Sequence, residues 1–402
     1  MFPVNVLDIL LILAALWFAV IGYRQGFVVG VMSVIGFLGG GLAAVYLLPL
    51  LWDKATDDAT PGSVAVMSAV VIVIVCASVG QALTTHLGNK ARTRITWSPA
   101  RALDASGGAL VNVLAMLLVA WLIGSALATT TLPTIGREVR SSRVLIGVSR
   151  VMPQSADSWF DDFSDTLAQN GLPQVFGTFG SEPITSVPAP DPALVGSQAV
   201  ADTRGSIVKV VGTAPSCGKV LEGSGFVFAK DRVMTNAHVV GGVSEPTVQI
   251  GGKGRLHDAR VVLYDWQRDI AVLDVPGLDA PPLQFTPQAE QSRDDAIVAG
   301  FPENGPFDVR AARIRDRIKA SGPDIYHRGT VHRDVYSLYA TVRAGNSGGP
   351  LLTTGGQVAG VVFAKSLDDS NTGYALTAAE VAPDVTAGRT AERQVSTQGC
   401  AL

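Results

Sequence analysis

The sequence predicts an all-α membrane domain of four transmembrane helices, followed by an all-β domain of two small antiparallel barrels. Apolar residues make up 48% of the 402 residues and charged residues only 16%, and the apolar residues are concentrated in the first third. From Gly205 onward the pattern changes to short β-branched runs bounded by Gly, Pro or Asp. We therefore divide the chain into a membrane domain (1–130), a linker (131–204) and a β domain (205–402).

Four apolar runs predict the transmembrane helices. They are Val4–Gly22, Gly26–Leu51, Val64–Leu83 and Ala109–Ala128, and each approaches or exceeds the roughly 20 residues that a helix needs to span a bilayer. Four such runs in succession argue against buried core helices. The N-terminus has no basic region and its first run leads directly into a second, which argues against a cleaved signal peptide.

The charges of the loops predict the orientation of these helices. The third loop, "GNKARTRITWSPARALD", has four basic residues, whereas the second, "DKATDDATPGS", has one lysine and three aspartates. The positive-inside rule then places the first and third loops in the cytoplasm. The N-terminus and all residues after Ala128 are expected outside, which predicts a multi-pass inner-membrane protein in contact with the lipid bilayer and a periplasmic β domain.

Small residues in the first two runs are typical of close helix packing. The pairs Gly26/Gly30 and Gly36/Gly40 have the spacing of small-residue contacts between membrane helices. Asp8, near the end of the first run, is either a functional acid or an interfacial residue. The run "DILLILAALWFAVIGYRQGF" with the three helices after it resembles the colicin V production membrane family over roughly residues 1–150.

The linker combines two amphipathic segments with a proline-rich one. "REVRSSRVLIGVSRVM" predicts a short basic helix, and "SADSWFDDFSDTLAQ" predicts an acidic helix that Ser155 or Asp157 could cap. "SEPITSVPAPDPALVGS" contains four prolines and predicts an extended, semi-rigid spacer.

Three segments of the β domain carry residues suited to acyl transfer. They are His238 in "MTNAHVV", Asp269 in "YDWQRDIAVLDV" and Ser347 in "RAGNSGGP". A serine nucleophile needs a base beside it, a group that orients the base, and donors for the oxyanion. Each segment alone has a structural explanation, but the order His, Asp, Ser is that of the chymotrypsin arrangement. Asp265 and Asp274 are poorer candidates for the acid because of their positions around the turn.

The motifs "GSGFVF", "TNAHVV", "RDIAVL" and "GNSGGPLL" resemble the trypsin-like family, especially its HtrA-type branch, over about residues 205–380. The resemblance implies a chymotrypsin-like double β-barrel and a serine endopeptidase. Ser347 would be the nucleophile, His238 the base and Asp269 the residue that orients it. The N–H groups of Gly345 and Ser347 would form the oxyanion hole.

Asn346 stands where trypsin-like zymogens carry an aspartate that pairs with a newly cut N-terminus. An uncharged residue there favours an oxyanion hole that forms without zymogen cleavage, and the alternative is that asparagine only caps the turn. By the family's pattern Thr341, Val342, Val362 and Ala364 line the first specificity pocket. They include no acid, which indicates a small or medium apolar preference. "TAAEVAPDV" predicts a short terminal helix, and no PDZ-like domain follows it.

The three cysteines divide between the two predicted domains. Cys76 lies in an apolar run, where a free thiol behaves as a small hydrophobe. Cys217 and Cys400 are then left outside the cytoplasm, where disulfides persist, so we predict a bond between them. The alternative is two unpaired thiols.

Several classes of function are disfavoured. A net charge of −3 gives no basic surface for nucleic acid, and the five histidines, including His327 and His332, lack the context of a zinc site. We expect neither metal nor cofactor. A catalytically silent protease fold and a transporter with a regulatory domain are the remaining alternatives.

The whole layout resembles mycobacterial membrane-anchored periplasmic serine proteases associated with acid resistance. That resemblance implies cell-envelope protein substrates and a role in acid and oxidative stress. The substrate, the trigger and the oligomeric state stay open.

Overall fold

The computed structural model describes residues 5–52, 63–94, 97–128, 133–152, 173, 175–177 and 182–401. Its helices are α1 (Val6–Gln25), α2 (Phe27–Trp52), α3 (Ser63–Arg92), α4 (Ser98–Ala128), α5 (Pro133–Arg140), α6 (Arg143–Ser149), α7 (Gln198–Thr203) and α8 (Ala378–Thr390). The chain forms two compact units, Met1–Gly124 with Ser142–Arg150, and Ser125–Ser141 with Val151–Leu402. The second loop and the predicted acidic helix with Ser155 and Asp157 lie outside the described residues.

Three helices of the first unit are long and apolar enough to cross a bilayer. They are α1 over Val6–Gln25, α2 over Phe27–Ala44 and α4 over Ser98–Ser125. The predicted span within α3 does not join them over the residues described. Three of the four predicted spans are therefore supported by length and composition.

Glycines bring α2 and α3 into close contact, as their spacing predicts. A Cβ atom added to Gly36 would overlap the carbonyl oxygen of Gly80, and one added to Gly40 would overlap the carbonyl oxygen of Cys76. Only glycine lets the two backbones approach this closely.

Polar side chains join the ends of the helices in the first unit. At one end, Arg92 Nε donates to Asp104 Oδ2 (2.8 Å), and Asp104 Oδ1 accepts from the Val28 amide (3.0 Å). At the other end, Asp8 Oδ1 accepts from the Ser142 hydroxyl (2.6 Å) and Asp8 Oδ2 accepts from the Arg143 amide (3.1 Å). Asp8 therefore satisfies the N-terminus of α6, which gives this acid a structural role.

The predicted basic helix over residues 137–152 is two helices. α5 ends at Arg140 and α6 begins at Arg143, with Ser142 between them in an extended conformation. The Ser142 hydroxyl accepts from the Leu145 amide (3.2 Å) and caps α6. A serine that can cap thus divides a segment whose amphipathic pattern is continuous.

The second unit contains two β structures, which we call the first sheet and the barrel. The strands of the first sheet are β1 (Ile207–Ala214), β2 (Lys219–Ala229), β3 (Arg232–Thr235), β4 (Thr247–Ile250), β5 (His257–Asp258), β6 (Arg260–Asp265) and β7 (Ile270–Asp274). Their order is β5-β4-β1-β2-β3-β7-β6. Only Ala259 separates the two edge strands along the chain, so the sheet is strongly curled although its hydrogen-bond ladder does not close into the predicted first barrel.

The barrel closes in the order β10-β13-β12-β11-β8-β9. Its strands are β8 (Asp295–Gly300), β9 (Asp308–Pro323), β10 (Thr330–Tyr339), β11 (Pro350–Thr353), β12 (Val358–Lys365) and β13 (Thr372–Thr377). The predicted terminal helix is α8, whose N-cap Thr377 accepts from the Glu380 amide (3.1 Å). Alternating inward side chains fill the interior, as period-2 patterning requires.

The proline-rich segment lies on the barrel. Arg315 Nη1 donates to the Thr185 carbonyl (2.9 Å), and the half-buried Glu182 carboxylate accepts from the Leu367 amide (3.1 Å) and from the hydroxyls of Tyr374 (2.8 Å) and Ser366. Desolvation raises the pKa of Glu182. The segment is extended as predicted, but these contacts attach it to the barrel.

Candidate active site

His238 and Asp269 form a buried pair on the first sheet. His238 Nδ1 lies 2.7 Å from Asp269 Oδ2, and the His238 amide donates to Asp269 Oδ1 (2.9 Å). Because a carboxylate only accepts, Nδ1 carries the proton of this bond and Nε2 is left as an acceptor. Asp269 is completely buried. The pair therefore holds the imidazole in the tautomer that a general base needs.

The turn between β6 and β7 presents Asp269 in a left-handed conformation, with φ of 64°. Aspartate tolerates this region better than most residues. The Asn236 side chain donates to the Asp269 carbonyl (2.7 Å) and fixes the backbone there. The other acids have other partners: Asp265 accepts from the Arg268 amide (2.8 Å) within the turn, and Asp274 pairs with Arg232 and Arg260.

Ser347 follows a tight turn on the barrel side. The Asn346 amide donates to the Arg343 carbonyl (3.0 Å), and Gly345 has φ of 89°, as the third residue of a type II turn requires. The Asn346 side chain accepts from the Arg343 amide (2.9 Å). The capping interpretation of Asn346 therefore matches the structure, and the cap stabilises the turn without a charge.

This turn leaves two amides free to bind an anion. The Ala344 carbonyl accepts from the Glu303 amide (2.8 Å), and because the peptide is trans, the Gly345 N–H points the opposite way. Neither Gly345 N–H nor Ser347 N–H donates a hydrogen bond within the described part of the chain. Two adjacent unused amides can receive the oxygen of a tetrahedral intermediate.

Ser224, which the sequence analysis did not single out, supports the turn. Its buried hydroxyl donates to the Gly345 carbonyl (2.6 Å) and accepts from the Phe301 amide (2.9 Å). Its own amide donates to the Ser347 carbonyl (2.8 Å). The signal was present, because Ser224 is the polar residue of "GSGFVF" between two glycines.

The Ser347 hydroxyl contacts the carbonyl of Phe363 (3.4 Å), and it has no hydrogen bond to His238 among the described residues. Bonds between nucleophile and base are often long before substrate binds. The structure thus brings His238 and Asp269 together. The Ser347 hydroxyl contacts β12 instead of His238.

The predicted pocket residues occupy the barrel near Ser347. Val342, Val362 and Ala364 are buried, and Val342 faces Gly373, where any Cβ atom would overlap its side chain. Thr341 is exposed, with its hydroxyl 3.5 Å from Asn371 Oδ1. Val342 and Val362 pack within the core of the barrel, so only Thr341 of the four predicted positions is exposed.

The sulfur atoms of Cys217 and Cys400 lie at disulfide distance, as predicted, with their Cα atoms 6.2 Å apart. Other contacts hold the tail as well: the Thr397 hydroxyl donates to the Val243 carbonyl (2.8 Å), and the Tyr326 hydroxyl donates to the Gly399 carbonyl (3.0 Å). The tail therefore touches both the first sheet and the loop between β9 and β10.

No group of three or more His, Cys, Asp or Glu side chains suited to a metal occurs in the part of the chain that the structure describes. The chemistry available at this site is that of a serine, a histidine, a carboxylate and backbone amides.

Comparisons with known proteins agree with this arrangement. The trypsin-like peptidase domain family matches residues 223–361, and the colicin V production protein family matches residues 7–153. Serine protease Rv3671c of Mycobacterium tuberculosis is 39% identical over 384 residues, which are 95% of each chain. A probable periplasmic serine endoprotease DegP-like of Halomonas elongata is 34% identical over 152 residues, 36% of this chain and 30% of that protein.

A solved structure supports the fold of the second unit. The active form of the Rv3671c protease from M. tuberculosis matches with a TM-score of 0.54 and 48% identity, over 56% of this chain and 98% of that one. This structural match shows that the second unit has the chymotrypsin-like fold. The relative that is 39% identical over 95% of each chain shows the family. The chain belongs to the HtrA-type, trypsin-like serine proteases that carry a colicin V production domain at the N-terminus.

Proposed function

We propose that this serine protease is a membrane-anchored endopeptidase whose triad is His238, Asp269 and Ser347. The observation that supports the proposal best is the buried His238–Asp269 pair, with Nδ1 and Oδ2 2.7 Å apart, and a second support is the Ser347 turn with its two unused amides. Ser347 Oγ attacks the scissile carbonyl while His238 Nε2 takes its proton. The amides of Gly345 and Ser347 bind the oxyanion, and His238 then protonates the leaving amine.

Labelling with a fluorophosphonate probe tests the triad. The full chain should label at Ser347, and Ser347→Ala or His238→Ala should lose turnover of a peptide substrate by about 10⁴-fold or more, because triad residues act as a unit. Labelling at another residue, or turnover retained by Ser347→Ala, would overturn the assignment. A catalytically silent protease fold would not label at all.

The substrate pocket is proposed to be lined by Thr341, Val342, Val362 and Ala364 and to accept a small or medium apolar side chain. The absence of an acid among these four residues and the contact between Val342 and Gly373 support this. Cleavage of a peptide library should show Ala, Val or Leu before the scissile bond. Preference for Arg or Lys there would contradict the pocket.

The oxyanion hole is proposed to form without zymogen cleavage. Asn346 stabilises its turn through a neutral side-chain bond to the Arg343 amide, so no new N-terminus is needed as a counter-charge. The intact full-length chain, confirmed as uncut by mass spectrometry, should react with the fluorophosphonate. Labelling that begins only after a defined cut would reject this proposal.

The protein is proposed to have four transmembrane helices at residues 1–130, a linker at 131–204, and a protease domain at 205–402 that faces the periplasm. The basic third loop supports this orientation, and so does the similarity to the H. elongata protein named as a periplasmic serine endoprotease. The two sets of polar contacts at opposite helix ends match an even number of crossings. A reporter fused after Ala128 should be active only when translocated, and cytoplasmic activity there would reject the topology.

Cell-envelope proteins are the proposed substrates, and resistance to acid and oxidative stress is the proposed role. A periplasmic protease domain beside the membrane has these proteins as its neighbours, and the layout resembles proteases with that role. Comparative proteomics of envelope fragments in cells with Ser347→Ala, at neutral and acidic pH, would identify fragments that depend on the nucleophile. Identical fragments in both cells would reject the proposed substrates.

A further inference from the structure

Two arginines of α5 bind the loop between β12 and β13, residues 366–371. The Arg140 guanidinium pairs with the Asp368 carboxylate, with Nη2 2.7 Å and Nε 3.1 Å from Oδ1, and its Nη2 also donates to the Leu367 carbonyl (2.9 Å). The Arg137 side chain donates to the Asp368 carbonyl. Arg140 has 3% of its surface exposed and Asp368 has 9%. Both residues belong to the second compact unit, so this is a buried ion pair within one unit.

The partners of this ion pair are fully specified. Arg140 Nη1 donates to the Ala128 carbonyl, so that all three nitrogens of the guanidinium have partners. Asp368 Oδ2, the second oxygen of the carboxylate, accepts from the Glu182 amide (3.1 Å). Losing one partner of a buried pair leaves the other charge uncompensated. The pair therefore strongly disfavours any other position of the loop relative to α5.

The proline-rich segment and β9 hold the same loop. The Glu182 carboxylate accepts from the Leu367 amide (3.1 Å) and from the Ser366 hydroxyl. Arg315 of β9 pairs with Asp369 (3.3 Å). The position of the loop thus depends on α5 and on the proline-rich segment, which precede the protease domain in the sequence, as well as on the barrel.

The end of this loop contacts the predicted substrate pocket. The Ala340 amide donates to the Asn371 carbonyl (2.9 Å), and the Thr341 hydroxyl lies 3.5 Å from Asn371 Oδ1. Just after the loop, a Cβ atom added to Gly373 would lie 2.3 Å from the Val342 side chain. Thr341 is the exposed one of the four predicted pocket residues. The loop that α5 binds therefore also contacts the exposed edge of the predicted pocket.

The turn of the nucleophile is held by other contacts. The Asn346 side chain caps it through the Arg343 amide, and the Ser224 hydroxyl donates to the Gly345 carbonyl. These bonds involve no residue of the loop or of α5. A shift of the loop should therefore change the recognition of the substrate and leave the acyl-transfer groups in place.

We propose that Arg140 and Asp368 are positioning residues for substrate specificity, whose ion pair holds the β12–β13 loop against Thr341 at the edge of the pocket. The inference rests on the proposed triad and pocket. Neither residue contacts the substrate, and both act through the loop. A peptide whose side chain fills the pocket gains from this edge only when the loop is in place. The pair therefore raises kcat/KM for such peptides and takes no part in the transfer of the acyl group.

The test uses two peptides that differ only in having Leu or Gly before the scissile bond, and a small fluorophosphonate that carries no side chain for the pocket. In full-length Arg140→Gln and Asp368→Asn we expect kcat/KM for the Leu peptide to fall about tenfold, the lower end of what one misfit in a hydrophobic pocket costs. The Gly peptide and the labelling rate should stay at wild-type values. Arg140→Lys keeps the charge without the bidentate fork and should show a smaller fall.

Arg313→Gln is the matched control. Arg313 pairs with Asp295 (2.6 Å), and its Nη1 lies 3.4 Å from the Pro188 carbonyl. It therefore also joins the proline-rich segment to the barrel, but at β8 and β9, and its loss should leave the ratio of the Leu to the Gly peptide unchanged. A merely structural role for the Arg140–Asp368 pair would lower both peptide rates and the labelling rate by one factor, which would overturn the inference. So would an unchanged ratio, or an equal change in Arg313→Gln.

A double variant covers the case in which the single variants do not fold. Arg140→Met/Asp368→Leu leaves no buried charge unpaired, so it should fold and label at the wild-type rate while the ratio falls. A double variant with the wild-type ratio would overturn the inference. Failure of the double variant to fold would do the same, because the pair would then serve the fold as a whole.

The same measurements separate this inference from the proposed function. If Ser347→Ala still cleaves the peptides, the triad fails, and the inference fails with it. If wild type prefers Arg or Lys, the proposed composition of the pocket fails, and the ratio measured with that residue in place of Leu decides the role of the pair. If wild type behaves as proposed and the ratio is unchanged in the variants, only the role of Arg140 and Asp368 fails.

Discussion

The two halves of the active site are held by different kinds of interaction. On the first sheet, side chains position Asp269: His238 and Asn236 bind it directly, and Arg333 holds its turn. On the barrel side, bonds between neutral groups position Ser347: the turn bond from the Asn346 amide to the Arg343 carbonyl, the Asn346 side-chain cap, and the bonds of the Ser224 hydroxyl and amide. The first half should therefore respond to charge and pH, and the second to changes of volume and backbone conformation.

Asp269→Asn should break the first half with the largest effect. An amide presents a donor where Nδ1 needs an acceptor, which favours the wrong tautomer, so we expect a loss in kcat of about 10⁴-fold with the fold intact. Asp265→Asn is the control, because Asp265 serves its own turn and should cost less than about tenfold. Rates on one peptide substrate decide this, and the reverse ranking would show that Asp265 is the triad acid.

Gly348→Ala should break the second half through the backbone. Gly348 has φ of 82°, and an added Cβ would overlap the carbonyl oxygen of Ser224. The turn must shift, and a displacement of about 1 Å costs about 10²-fold in rate. Gly355→Ala is the matched control, since its Cβ would have ordinary contacts only. Equal rates for the two variants would show that the nucleophile turn is not held as tightly as the structure indicates.

Sequence motifs were informative for the second half of the site and for helix contacts. "GNSGGPLL" places Ser347 and its glycines correctly because the turn is local, and a local turn depends on adjacent residues. Gly36 and Gly40 also lie where their spacing predicted. The break at Ser142 was missed because capping competes with an amphipathic pattern on either side of it.

The first half could be predicted only in part. The order of residues identified His238 and Asp269, but Arg333 comes from a distant strand of the other β structure. Its signal was an arginine in step with the buried Val335 and Ser337 of β10. The two-residue period of a strand predicts that this side chain is buried, but it does not predict which backbone group the side chain will contact. The curled but unclosed first sheet was missed for the same reason, because closure depends on long-range pairing.

The Cys217–Cys400 disulfide fastens the C-terminal tail to the first sheet, and its removal should have an intermediate effect. The cysteines are 183 residues apart, for which chain entropy gives up to about 5 kcal/mol. We expect Cys217→Ser/Cys400→Ser to lower the free energy of unfolding by about 2 to 4 kcal/mol. The loss stays below the full chain-entropy value because Thr397 and Tyr326 still hold the tail. Reduction should also lower the labelling rate. Peptide mapping without reductant tests whether the bond forms. If the double variant has the melting temperature and labelling rate of wild type, the bond contributes neither to stability nor to activity.

Asp384→Asn should have the smallest effect of these variants, a change in stability. It removes a charge near the first half of the site and leaves the triad residues unchanged. Asp384 lies in α8, 3.4 Å from Arg268 of the Asp269 turn. Burial, followed by the charge of Asp265, raises the pKa of Asp384 from 3.8 to about 6.

A raised pKa in the folded state means that folding favours the protonated acid. The stabilisation is complete below pH 3.8 and is lost as the pH rises through 6. Asparagine mimics the protonated form, so Asp384→Asn should be more stable than wild type by about 1 to 3 kcal/mol at pH 7.5 and equal to it near pH 4. Denaturant unfolding at both pH values measures this, with Asp279→Asn as an exposed control. If the variant is less stable than wild type at pH 7.5, the ion pair between Asp384 and Arg268 outweighs the cost of desolvating Asp384. The Asp384 charge on α8 would then help to stabilise the Asp269 turn.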